Sequence, residues 1–167
     1  HPLDLDAMVG RQYLGVALNE WGFMYKLLWK TFRKTFVRDE QRGYVRGWNV
    51  RMEQNGIDGP QVPKQKGGRP WSFGHYGVRS AESIRWPRGM RFAHYLDYSE
   101  AGNDAFTDKI AFTPLVAVNA GSSDLLLGWE IFRVAGQLIA PSIFYALRAD
   151  GPISSGIVDP PRPADLP

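Results

Sequence analysis

Counted at intervals of three and four, Met8, Arg11, Leu14, Gly15, Leu18, Gly22, Tyr25, Trp29, Phe32 and Phe36 fall on one broad face, the repeat of a helix. With Asp4 or Asp6 as its cap, the pattern predicts a helix from about residue 7 to residue 37. The other side of residues 13–29 is hardly more polar, carrying Val16, Phe23, Met24, Leu27 and Leu28. A helix apolar all round is buried in something larger than one small core or lies against lipid. Gly15 and Gly22, seven apart, would let a second backbone approach, though each glycine costs a helix about 1 kcal/mol against alanine.

A second apolar block covers residues 110–147. Read as helix, it runs from Asp124 to Arg148, capped by Ser122 or Ser123 and kinked at Pro141, which has no N–H to donate. Read as strands, it covers 110–119, 125–134 and 137–147, broken at Gly121 and Gly136. Length and weak alternation favour the helix. Residues 125–147 are long enough to cross a bilayer. Glu130 and Arg133 would each cost about 2.5–3.5 kcal/mol at its centre, so a core helix in which the two pair on one face is preferred.

Residues 39–75 read as loop, because Gln54-Asn55-Gly56, Asp58-Gly59-Pro60 and Gly67-Gly68-Arg69-Pro70 are turn and breaker combinations. Residues 93–109 read as a short acidic helix or turn. Five prolines among residues 151–167 predict an extended tail lying along a surface. The expected fold is therefore mainly α with long irregular segments. An apolar and basic helix (1–38) and an apolar helical block (93–150) are joined by a basic Gly/Pro-rich middle (39–92) and followed by the extended tail (151–167), with α+β as the alternative.

Composition narrows the class. At 167 residues with 44% hydrophobic, 22% charged and 13% aromatic positions, the chain is neither disordered, nor a coiled coil, nor collagen-like. Cysteine is absent, which removes disulfides, thiol catalysis and Cys-ligated metal sites. The first residue, His1, fits a processed mature form or a fragment, and the opening stretch lacks the basic and apolar regions of an uncleaved signal peptide.

Charge adds more than composition. The net charge of +3 hides −2 over residues 1–25, +10 over 26–91 and −5 over 92–167. A basic middle between acidic ends suits an anionic partner, or else folds against the acidic C-terminal half. Two groups carry the charge. Lys26, Lys30, Arg33, Lys34 and Arg38 follow directly on the first apolar block, as cations do at a head-group surface or at a helix C-terminus. Arg79, Arg85, Trp86, Arg88 and Arg91 alternate arginine with apolar groups around a Pro-Arg-Gly bend, and guanidinium planes both stack on rings and fork onto phosphates or carboxylates. These ten residues are the candidate contacts for anionic phospholipid, for a partner protein or for RNA. The competing use is internal packing with Glu82, Asp97 or Glu100.

Candidate chemistry is thin. His75, His94 and Asp97 are weak metal ligands by spacing, with His94 and Asp97 on one face if the segment is helical. There is no G-x-S-x-G elbow, no P-loop and no dinucleotide fingerprint, and no cofactor is expected. The sequence alone therefore reads as a non-enzymatic accessory subunit of a large multiprotein assembly, membrane-associated and of an organelle. Other protein subunits would be its partners, and anionic phospholipid a further one. The alternatives are an RNA-binding, ribosomal-type subunit using the basic middle, and a small His/Asp-based enzyme.

Overall fold

Phe32, Lys34 and Phe36 alternate with Arg33, Thr35 and Val37, and this period of two is the one the backbone follows. The computed structural model describes residues 1–18, 30–99, 103, 110–154 and 157. It is nearly all β and corrects the mainly α expectation. Among the described residues twelve strands run in order: β1 (Arg11–Ala17), β2 (Thr31–Asp39), β3 (Tyr44–Arg51), β4 (Gln65–Lys66), β5 (Arg69–Pro70) and β6 (Ser72–Ser80), then β7 (His94–Asp97), β8 (Ala111–Ala117), β9 (Leu125–Trp129), β10 (Ile131–Val134), β11 (Gln137–Ile139) and β12 (Phe144–Pro152). The one described α-helix, α1 (Leu5–Met8), is a single turn capped by Asp4, whose Oδ1 accepts from the Ala7 amide at 3.0 Å.

Eight of the strands close into an antiparallel barrel in the order β1-β2-β3-β6-β7-β8-β9-β12, with β12 returning to β1. Closure leaves these eight strands without the open edges that an open sheet would have to protect. Strand β8 pairs with β9 and β10 in one register: Leu115 faces Gly128, and Phe112 faces Ile131. Only Glu130 interrupts this long strand. The β10–β11 hairpin extends beyond the barrel on the β8 side.

The inner face is set by register. Tyr13 lies opposite Lys34, Gly15 opposite Phe32, Lys34 opposite Asn49, Leu96 opposite Thr113, and Tyr145 opposite Gly128. At the end where β1 begins, the interior is apolar. Phe36, Val45, Val78, Leu96, Leu115, Leu126 and Leu147 form one cluster with Leu3 and Met8, so α1 packs over that end. The N-terminal ammonium of His1 donates to the Ala117 carbonyl at 2.9 Å, and the Asp4 amide to Ser123 Oγ at 3.1 Å, tying the plug to β8 and to the turn before β9.

Two apolar clusters also cover the outer wall. Trp48, Val50 and Met52 pack with Ile153 and Ile157, and Tyr95, Phe112, Trp129 and Ile131 pack under the loop bearing Trp86 and under β11. Strands buried on both faces show no alternation, and this imitated a helix apolar all round. Of the helix expected over 7–37, residues 11–17 and 31–37 are strands, and residues 19–29 lie outside the described set. Of the helix expected over 124–148, no part is helical: strands cover 125–129, 131–134, 137–139 and 144–148, a turn falls at Gly136 as in the less favoured strand reading, and residues 140–143 are irregular. The expected loop 39–75 contains β3, β4, β5 and the start of β6. Residues 158–167 of the expected tail lie outside the described set. Among the described residues, no helix is long and apolar enough to cross a membrane.

Candidate functional site

In a strand, neighbours point to opposite faces, so the run of cations in β2 is divided. Arg33 points outward and pairs with Asp150 at 2.7 Å, and Lys34 points into the barrel, 2% exposed. Arg38 pairs with Asp6 beside the plug, Lys30 precedes β2, and Lys26 lies outside the described residues. The four described cations do not form a common surface. Arg79 stacks over Tyr44 at 3.8 Å, whereas Arg85, Trp86, Arg88 and Arg91 share the loop between β6 and β7.

Lys34 is the centre of the barrel's other half. Its ammonium donates to Asn49 Oδ1 at 2.7 Å and to the Tyr98 hydroxyl at 2.5 Å. Four rings surround it, with centroids 4.8 Å (Tyr76), 5.3 Å (Tyr98), 5.3 Å (Tyr145) and 5.5 Å (Phe32) from Nζ. Ring faces attract a cation most when both are desolvated. Two glycines make room for the rings: a Cβ on Gly15 would collide with Phe32 and one on Gly128 with Tyr145, whereas one on Gly47 would first meet the Thr35 carbonyl and then the Tyr76 hydroxyl at 2.7 Å.

The surrounding polar groups are held in turn. Asn49 Nδ2 donates to the Gly74 carbonyl at 3.1 Å, and Tyr76 donates to the Thr35 carbonyl at 2.7 Å. Asn103 bridges β6 and β7, accepting from the His75 amide and donating to the carbonyls of His75 and Tyr98. Glu130, at the break between β9 and β10, accepts from Thr113 Oγ1 at 3.0 Å. The Tyr145 hydroxyl is buried without a hydrogen-bond partner among the described residues. Burial pushes the Tyr76 and Tyr145 phenols well above their ordinary range, with neighbouring Tyr98 and Glu130 adding to the effect at Tyr145. At the end of the barrel away from α1, the register sets half-buried Arg51, Phe73 and Phe132 on the same inner side as Phe32 and Ala111.

The weak metal candidates do not meet. His94 and Asp97 are three apart on β7 and therefore on opposite faces. Asp97 accepts from Ser99 and Tyr95 outside the barrel. His75 stands beside Trp48, with ring centroids 6.4 Å apart. Burial lowers the His94 pKa, partly opposed by Glu82. No cluster of three or more metal-ligating groups occurs among the described residues. Glu130 and Arg133 also take separate partners, since Arg133 stacks over Phe112 at 3.7 Å.

Sequence reasoning named Lys34 but placed it among surface cations, and it missed Asn49, Tyr76, Tyr98, Thr113 and Tyr145. The available signal was Phe32-x-Lys34-x-Phe36, a lysine at the centre of an apolar period of two. Compared with known proteins, the chain matches no family model and no curated protein.

Proposed function

We propose that this chain binds a small organic anion at the mouth of its barrel, with Lys34 as the group that reads the charge. The observation that carries this reading is the caged lysine itself: a cation 2% exposed, four rings around it, in the half of the barrel away from the apolar plug. Burying an ionisable group is costly, and such groups concentrate where a protein does chemistry or recognises charge. An eight-stranded barrel has an interior of the size that side chains fill or that one small ligand occupies. Phe32, Phe73 and Phe132 would take the apolar body of the ligand. Its carboxylate or phenolate oxygen would approach the Lys34, Tyr98 and Tyr145 layer. The Tyr145 hydroxyl supports this: buried and without a partner among the described residues, it is a donor for an incoming acceptor.

Titration of the protein with 2-naphthoate and with 2-naphthamide, followed by tryptophan fluorescence, tests it. The carboxylate is expected to bind at least tenfold more tightly than the amide, and Lys34→Met to abolish that difference while the variant stays folded. Equal affinities for the two probes, no binding of either, or unchanged preference in Lys34→Met would overturn it. A second reading, the accessory subunit of a larger assembly, draws its support from the exposed arginines between β6 and β7.

A further inference from the structure

Residues 81–93 leave and rejoin the barrel at nearly one point, with the Ala81 amide donating to the Ala93 carbonyl at 2.9 Å, the closed form of an Ω-loop. Trp86 anchors the loop. It is 6% exposed and edge-on to Phe92 and Tyr95, with centroids 5.3 and 5.8 Å away. Arg85, Arg88 and Arg91 are exposed, and none meets a carboxylate or a ring among the described residues. By contrast, Arg11, Arg33, Arg38, Arg42 and Arg46 pair with aspartates, and Arg51, Arg79 and Arg133 stack on rings. Arg85 and Arg91 line a groove of about 640 Å³ together with Ile84, Trp86, Met90 and Phe92. The buried Trp86 indole N–H has no hydrogen-bond partner among the described residues.

We infer that this groove docks an acidic peptide segment of a partner protein. One apolar side chain of the peptide enters between Ile84, Met90 and Phe92, and flanking carboxylates meet Arg85 and Arg91. Apart from Glu82, the ionisable and polar side chains lining the groove only donate, which complements an acceptor-only partner. The loop's large apolar side chains are buried or half-buried, so none is presented to a bilayer interior. Trp86 is covered by its own loop and offers no open ring face for a nucleic-acid base. What remains is a concave apolar surface rimmed with cations, the shape and charge of a peptide-recognition site.

The test uses a fluorescein-labelled twelve-residue peptide alternating Asp and Glu with Leu and Phe, and the same peptide with every carboxylate changed to its amide. Phosphatidylserine-containing vesicles form a third arm. The parent chain is expected to bind the acidic peptide at least tenfold more tightly than the amide version. Arg85→Glu combined with Arg91→Glu should weaken the acidic peptide tenfold or more, with an unchanged thermal transition because both side chains are exposed. Three results would each overturn the inference: no preference for the acidic peptide, full binding by the charge-reversed variant, or vesicle flotation without peptide binding. Self-association of the parent that disappears in the variant would assign the groove to a second copy and overturn it as well.

Discussion

Gly128 lies directly opposite Tyr145 on adjacent strands, and a Cβ there would stand 2.1 Å from the phenol ring. The absent side chain is what lets this ring lean over Lys34. Gly128→Ala should therefore destabilise the protein by about 2–3 kcal/mol, the scale of an overpacked core. Combining it with Tyr145→Leu should recover part of the loss, because the two changes share one space. Urea denaturation of the two single variants and the double variant measures this, and strict additivity would show that the contact is not what the glycine serves.

Lys34 separates packing from charge. Lys34→Ala removes a side chain that is 2% exposed and leaves Asn49 and Tyr98 without their donor, with an expected loss of about 2–4 kcal/mol. Lys34→Met loses the same two hydrogen bonds but keeps the length of the side chain inside the rings and leaves no cavity, so its expected loss is about 1–2 kcal/mol, smaller than that of alanine. Thermal melts of the two variants give the order, and methionine as the more damaging change would contradict it.

Tyr13, Tyr76 and Tyr145 predict alkaline instability. Burial pushes Tyr13 up to about 12 and the other two well above their ordinary range. The folded state therefore holds these protons more tightly than the unfolded chain, whose tyrosines titrate near 10. The stabilisation is fully present below pH 10 and is lost as pH rises from 10 through the folded values. Each tyrosine contributes about 1.4 kcal/mol per pH unit across that window. Ultraviolet absorbance of tyrosinate should show three phenols appearing only with unfolding, and Tyr13→Phe should make the fall in stability shallower.

The ion pair between Arg33 and Asp150 joins β2 to β12 across the outer face of β1 at 2.7 Å. Asp150 is one-third exposed, so solvent screens part of the attraction. Asp150→Asn should cost about 1–2 kcal/mol, because the guanidinium left behind is buried. The cost should shrink on adding salt, and a chemical-denaturation series at two ionic strengths would reveal a salt-independent loss if hydrogen bonding alone is responsible.

The plug is a packing device of one turn. Met8 is fully buried against the barrel floor, and Met8→Ala should cost about 2–5 kcal/mol by leaving a cavity there. Hydrogen exchange at the Leu115 and Leu126 amides should rise in this variant more than exchange around Asn49, at the other end.

What the sequence disclosed follows from how each strand is covered. Glycines 121 and 136 were visible as breaks, and the less favoured strand reading places 110–119 and 125–134 close to β8 and to β9 with β10, whereas its single strand over 137–147 is in fact β11 and the start of β12, separated by residues 140–143. The first block misled because Tyr13 packs inward while Leu14 is also buried on the outer wall, so adjacent residues are both apolar and no alternation survives. On β3 the pattern is inverted: Trp48 and Val50 are buried outside the barrel against Ile153 and Ile157, while polar Asn49 between them faces inward. The caged lysine was legible as a residue type but not as a place. Its rings come from β2, β6, β12 and the residue after β7, which only barrel closure brings together. The arginine loop was legible as a pattern, because a contiguous segment carries its own geometry.

The pairing of β12 with β1 joins the last strand to the first. During synthesis, a nascent chain released only as far as β11 has both β1 and β9 without their shared neighbour, since residues 144–152 are still inside the ribosome. Long-range closure of this kind is slow. Until it happens, two hydrogen-bonding rims stand open to other chains, and an early stop codon anywhere before Phe144 would leave them open permanently.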